Sequence, residues 1–223
     1  MKKWLEKVDW IYVIVPLALL GTFWVIAAFT GQWPWQSNPY NSYALQTDSW
    51  LKGRLDLGQN YEWLELAIYQ GKYFVSFPPF PSYVLIPFVV LFGTNTPDHF
   101  IALVVTIIGC IYAVKLYRET SAEKQHSLFW VLMLYFASGY LFVGMNGYVW
   151  FIAQSMSFTL GLMALYYTLR NKGGLALTFW ACAVGCRPML ALYGILLVYL
   201  LVKGYKKENP KGTVWQLVKD KWY

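Results

Sequence analysis

Long apolar runs separated by short polar and basic punctuation dominate this chain, and they predict membrane-crossing helices. Residues 11–29 and 99–117 are the first two strong runs, and 128–143, 148–169 and 175–202 follow. Each of the first two measures about 28 Å as a helix, close to the roughly 30 Å of bilayer hydrocarbon. The last run is interrupted by Arg187-Pro188. As one helix it would measure about 42 Å and hold Arg187 near its middle, at about 3 kcal/mol on an insertion scale. As a hairpin it gives helices of about 18 and 21 Å before flanking residues are recruited, and Arg187 reaches a surface. The hairpin is the expected form.

The pattern predicts an all-α polytopic protein, a single membrane domain over 1–223. Six spans are expected, at about 11–29, 99–117, 128–143, 148–169, 173–186 and 189–203, with a tight turn at Gly144-Met145-Asn146-Gly147. Ala27 and Ala28 have the small side chains of a signal-cleavage site. The run is longer than a signal core and continues into Phe29 and a Trp-rich loop, so an uncleaved first span is expected.

Residues 30–98 form a large loop on the outer face. Asn41–Leu55 reads as a short helix lying on the membrane. Leu64–Tyr69 and Lys72–Phe77 read as strands joined by Gln70-Gly71, a two-residue turn with Gly supplying positive φ. Pro81–Phe92 is apolar but short and carries Pro87. It reads as an interfacial or re-entrant helix, since a crossing there would reverse the side of every later basic loop.

Composition agrees with this class: 58% of residues are hydrophobic and 13% charged, where soluble domains carry about 25% charged residues. The formal charge of +7 does not form a basic face interleaved with stacking aromatics, so no nucleic-acid partner is expected. The basic residues fall between apolar runs, where they set orientation. With both termini cytoplasmic, only Lys52, Arg54, Lys72 and Arg187 of the eighteen Lys and Arg residues lie outside. The expected location is the cell membrane, multi-pass, in a bacterial plasma membrane.

Those four cations share a face with Asp48, and that face is where chemistry is expected. Asp48 is the candidate general base, with the ordinary alternative of an i,i+4 surface pair with Lys52. Arg54, Lys72 and Arg187 are candidate phosphate ligands, because guanidinium and ammonium donors stabilise a growing oxyanion. Arg54 could instead pair locally with Asp56, Lys72 could be a solvated turn lysine, and Arg187 could mark a helix end. Trp33, Trp35, Trp50 and Trp63 read as belt residues ahead of sugar platforms. Asn146 and Gln154 read as interhelical amides. Cys110, Cys182 and Cys186 lie in apolar runs without a CxxC pair, and His99 and His126 are isolated. No DxD pair or His/Cys cluster is visible, so no cofactor is assigned and a divalent metal is left open.

The segments SWLKGRLDL, IYQGKYFVSFPPFP and VLFG, followed by GYVWFIAQ and AVGCRPML, resemble polyprenyl-phosphate-dependent membrane glycosyltransferases of the GT-C type. Protein O-mannosyltransferases and the lipid A aminoarabinose transferase belong to that group. The resemblance implies a transferase taking a sugar from a polyprenyl-phosphate carrier on the extracytoplasmic face and passing it to a glycan, lipid or protein acceptor. It implies a catalytic carboxylate at Asp48 and a carrier-phosphate contact at Lys72. It extends over what would be the N-terminal half of such enzymes, with Ser49 where some relatives carry a second acid. Two other readings stand beside it. One is a non-catalytic carrier-binding subunit or half-enzyme, with a second subunit supplying further spans. The other is a small transporter, disfavoured because the spans lack paired internal charges.

Overall fold

The computed structural model describes residues 9–221, and within them helix predominates, with one two-stranded sheet. The helices are α1 (Ile11–Thr30), α2 (Ser42–Leu51), α3 (Phe80–Phe92), α4 (Asp98–Thr120), α5 (Ser127–Phe136), α6 (Tyr140–Met145), α7 (Val149–Leu169), α8 (Gly173–Cys186), α9 (Tyr193–Glu208) and α10 (Val214–Lys221). Strands β1 (Leu66–Tyr69) and β2 (Lys72–Val75) pair antiparallel, with Leu66 opposite Val75 and Tyr69 opposite Lys72. Four helical segments are long and apolar enough to cross a membrane: Ile11–Thr30, Asp98–Thr120, Val149–Leu169 and Pro188–Glu208. Lys2, Lys3 and Lys7, which precede the first run, lie outside the described residues.

Helices α4, α7 and α8 form the centre of the bundle. The α4–α7 approach is close because Gly109 faces Thr159, where a Cβ would come within 2.4 Å of the hydroxyl. Thr159 Oγ1 donates to the Val105 carbonyl at 3.1 Å across the same seam. Small residues and interhelical hydroxyl bonds are the usual means of association where lipid supplies no hydrophobic drive. One apolar cluster joins α1, α4 and α5 through Val15, Leu19, Cys110, Val114 and Tyr135. Another joins the loop helices to the bundle through Tyr43, Leu85, Val149, Ile152 and Cys186.

The expected helix over 128–143 is broken into α5 and α6. No proline causes this. Ser138 Oγ donates back to the Leu134 carbonyl at 2.6 Å and accepts from the Tyr140 amide at 3.1 Å, so its hydroxyl competes with the backbone ladder at an Ala-Ser-Gly step. Gly144 and Met145 belong to the end of α6, so the tight turn is displaced to Asn146-Gly147-Tyr148. The loop helix is shorter than expected, Ser42–Leu51, as are both strands. In the turn between them both Gln70 (φ 48°) and Gly71 (φ 73°) are left-handed, the geometry that matches strand twist.

At Arg187 the chain doubles back. Residues preceding proline are driven to extended backbone, and Arg187 adopts φ −144°, ψ 106°. The two arms then touch. Trp180 Nε1 donates to the Leu190 carbonyl at 2.8 Å, and its ring lies against Gly194 where a Cβ would not fit. At the far end of the arms Asn171 Nδ2 donates to Glu208 Oε1 at 2.6 Å. Arg170, Lys172, Lys203, Lys206 and Lys207 therefore gather at one end of the bundle. Arg118 is there too, since its neighbour Glu119 pairs with Arg170 at 3.5 Å. The loop and Arg187 occupy the opposite end.

Candidate functional site

The loop is stitched to the bundle by one carboxylate that sequence reasoning passed over. Asp98, in the first turn of α4, is fully buried. Its Oδ2 accepts from the Asn38 amide at 3.2 Å and from Asn38 Nδ2 at 2.8 Å. Its Oδ1 accepts from Asn41 Nδ2 and Thr96 Oγ1. Asn41 in turn caps α2 by accepting from the Ala44 amide, and Asn38 also donates to the Gly147 carbonyl at 3.1 Å. Gly147 lies against the Asp98 backbone, where a Cβ would be 2.4 Å from the carbonyl carbon. One side chain thus fixes the start of α2, the start of α4 and the α6–α7 turn. The available signal was an acid directly after Thr-Pro at a helix start, where the macrodipole favours negative charge.

Helix α2 is held down by a second polar seam. Thr47 Oγ1 donates to the Ser82 carbonyl at 2.8 Å, and Ser82 Oγ donates to Gln46 Oε1 at 2.6 Å. The seam buries Tyr43, Ala44 and Thr47 against α3 and leaves Asp48 at the edge. Asp48 Oδ2 is 2.6 Å from Lys52 Nζ, with the Asp48 side chain 26% exposed. The i,i+4 pair is therefore formed, and it engages one carboxylate oxygen only.

Lys72 stands at the start of β2, 63% exposed, with Nζ 3.5 Å from Asp56 Oδ2. Asp56 is thus taken by Lys72, and the local Arg54–Asp56 pair is not the one formed. The reason is the strand pairing: the Leu57 amide donates to the Tyr73 carbonyl at 2.8 Å and carries Asp56 beside β2. The Arg54 guanidinium instead lies over Gly58.

Arg187 reaches the loop side of the bundle. Its Nη2 donates to the Trp150 carbonyl at 2.5 Å, while Nε is buried without a partner. Close by, the Tyr43 hydroxyl is also buried without a partner. Burial pushes the Tyr43 phenol above its ordinary value, with the Arg187 charge pulling the other way. Two unused donors therefore sit together under α2. Asp48 is on that same helix, whereas Lys72 and Arg54 lie in the hairpin region past its C-terminal end.

The remaining candidates have ordinary places. Trp33 stacks on Trp35 at 5.2 Å, and Trp24 joins them at 5.4 and 5.9 Å. Trp50 packs on Tyr83, and Trp63 Nε1 donates to the Pro39 carbonyl at 3.0 Å. Glu65 Oε2 accepts from Trp150 Nε1 at 3.3 Å, a loop-to-bundle tie. Asn146 bonds within its own helix end, to the Phe142 carbonyl at 2.8 Å, and Gln154 is exposed. His126 pairs with Glu123 at 2.7 Å. No family model matches this chain, and no curated protein or solved structure matches it either.

Proposed function

We propose that this chain is the carrier-binding part of a membrane glycosyltransferase that uses a polyprenyl-phosphate-linked sugar on the extracytoplasmic face. The observation carrying this reading is the pair of buried, unpartnered donors at Arg187 and Tyr43. A buried donor without an acceptor costs about 1–3 kcal/mol, and more when charged, so such a pair is an invitation to an anion. A guanidinium already held at one Nη2 by a backbone carbonyl offers its remaining edge to a phosphate in fixed orientation. In the transfer itself, Asp48 Oδ1, the oxygen not held by Lys52, takes the acceptor hydroxyl proton as the acceptor oxygen bonds the anomeric carbon and the bond from that carbon to the phosphate oxygen breaks. The charge left on the departing lipid phosphate is met by Arg187 and, from the loop, by Lys72 and Arg54.

The same reading gives six spans, with α5–α6 and the short α8 crossing beside the four long helices, and both termini cytoplasmic. Its support is the gathering of Arg118, Arg170, Lys172, Lys203, Lys206 and Lys207 at the end opposite the loop. In a cysteine-free background, an impermeant thiol reagent should label a Cys at Gln59 from outside and leave one at Asn171 unlabelled. The reverse pattern would overturn the topology and the site with it.

The decisive test of the function is a titration of polyprenyl phosphate against the protein and two variants in nanodiscs. Arg187→Lys keeps the charge and loses the fork, so affinity falls by about 1–2 kcal/mol, and Arg187→Ala costs more. Three equal affinities would return Arg187 to a helix-end role. A carrier-binding subunit without catalysis is the second reading, favoured by the ion pairs already formed at Asp48 and Lys72. Carrier binding without any transfer activity in the complete assembly would select it.

A further inference from the structure

Between the loop-side ends of α1 and α6 and the start of α4 lies a cavity of about 330 Å³. Its polar contributors are Thr30, Gln32, His99, Asn146 and Tyr148, and no Asp, Glu, Lys or Arg lines it. The Thr30 hydroxyl is already used, donating to the Ile26 carbonyl at 2.9 Å and accepting from the Gln32 amide at 3.4 Å. Each of the other four has one valence satisfied by protein and at least one left over. Gln32 Nε2 donates to the Tyr148 hydroxyl at 2.9 Å, which leaves the Gln32 carbonyl as an acceptor and the Tyr148 hydrogen as a donor. One Nδ2 hydrogen of Asn146 goes to the Phe142 carbonyl, so its other N–H and its Oδ1 remain. His99 Nδ1 lies 3.3 Å from the Gly147 amide, which can only donate, and 3.4 Å from the Met145 carbonyl; with the Gly147 bond made, Nε2–H is the ring's one donor.

The apolar walls are arranged along the other direction. Phe23 and Ile26 lie about two turns deeper along α1 than Gln32, which follows its end, and Phe142 forms the opposite lip with its ring largely exposed. The cavity therefore grades from a neutral polar end beside the loop to hydrocarbon walls at the depth of the helices. Donors and acceptors side by side without a fixed charge suit hydroxyl groups, each of which both donates and accepts. A phosphate would find no cation here, and a bare hydrocarbon would leave four polar groups desolvated.

We propose that this cavity binds an uncharged, hydroxyl-rich amphiphile, a glycosyl lipid in chemical class, with its head at Gln32, His99, Asn146 and Tyr148 and its tail along Phe23, Ile26 and Phe142. The inference goes beyond the carrier-phosphate site and needs only the membrane setting. Binding has a built-in reporter. Trp33 packs in one apolar cluster with the cavity residues Phe23, Ala27 and Met145 and stacks on Trp35.

The test uses the full chain in phosphatidylcholine nanodiscs, titrated below micellar concentration with octyl glucoside, octyl phosphate and octanol, and read by tryptophan emission. Octyl glucoside should saturate, with the other two at least about tenfold weaker, the worth of one or two hydrogen bonds. Tyr148→Phe and the exposed-site variant Gln32→Leu should each weaken the glucoside about three- to tenfold. Thermal unfolding in parallel confirms that each variant is folded, and two separate substitutions keep the result readable if one fails to fold. Equal binding of octyl phosphate, wild-type affinity in both variants, or partitioning without saturation would each overturn the proposal. No carrier phosphate enters this measurement, so its outcome is independent of the Arg187 titration.

Discussion

Asp98 and Arg187 are both ionic side chains at the loop end of the bundle, and the protein treats them in opposite ways. Asp98 meets four donors, from Asn38, Asn41 and Thr96, and both its oxygens are engaged. Arg187 meets one carbonyl and keeps a buried Nε with nothing to donate to, beside a tyrosine in the same condition. A saturated buried carboxyl is architecture: its partners come from three segments, and removing it would unfasten all of them. An unsaturated buried donor is a cost that an ordered water or a bound ligand can offset, and Ser42, Tyr135 and Thr168 each carry a smaller, uncharged version of it. Asp98 is fully buried and Arg187 half-buried with its Nε enclosed, and the tally of donors and acceptors separates them further.

The largest effect expected from this contrast is at the saturated end. Asp98→Ala leaves two asparagine amides and a threonine hydroxyl buried without their acceptor. Hydrogen bonds to charged groups contribute about 1.5–3 kcal/mol each, incompletely additive, so a loss of at least about 3 kcal/mol is expected. Thermal unfolding in nanodiscs measures it, and carrier affinity of the fraction still folded should be unchanged. A variant as stable as the parent would remove Asp98 from its anchoring role. Gly147→Ala probes the same junction by crowding, because its Cβ would enter the Asp98 backbone. It should cost about 1–3 kcal/mol.

Next in size is catalysis. Asp48→Asn keeps the shape and gives up proton acceptance, so transfer by the complete assembly should fall by about 10² with carrier binding retained. The Lys52 partner sharpens this. Lys52→Ala removes the cation from Oδ2 and should change transfer far less than Asp48→Asn does. Activity of Asp48→Asn within twofold of the parent would remove Asp48 from the mechanism and favour the binding-subunit reading.

What was legible in the sequence and what was not divide along the same line of local against distant causes. The strand pair around Gln70-Gly71 and the helix break at Arg187-Pro188 rest on residues adjacent in the chain, and a sequence displays those directly. The Asp98 junction was invisible because its partner Asn38 lies 60 residues away and Gly147 supplies the third side. The break at Ala137-Ser138-Gly139 was missed because a back-bonded serine leaves apolar periodicity intact. Proximity in sequence offers Asp56 to Arg54 as an alternative partner, yet the backbone bond from Leu57 to Tyr73 delivers it to Lys72. The unused donors of Arg187 and Tyr43 could not have been foreseen, since lacking a partner is a property of the packed structure alone.

The smallest effect, and the finest test of the comparison, concerns Lys72. Its ammonium is largely exposed and already paired with Asp56 at 3.5 Å, so Lys72→Ala should change stability by no more than about 0.5 kcal/mol. In carrier binding it contributes a screened surface charge, and its removal should weaken polyprenyl phosphate by about threefold or less at physiological salt. Asp56→Asn should move affinity the other way, because it releases Lys72 and removes a negative charge from the approach of an anion. Opposite signs for the two variants would mark Lys72 as an auxiliary to Arg187. A fall in affinity for both would mean that the pair acts as one structural unit holding the hairpin in place. A loss at Lys72→Ala equal to that at Arg187→Ala would move the phosphate site out to the loop.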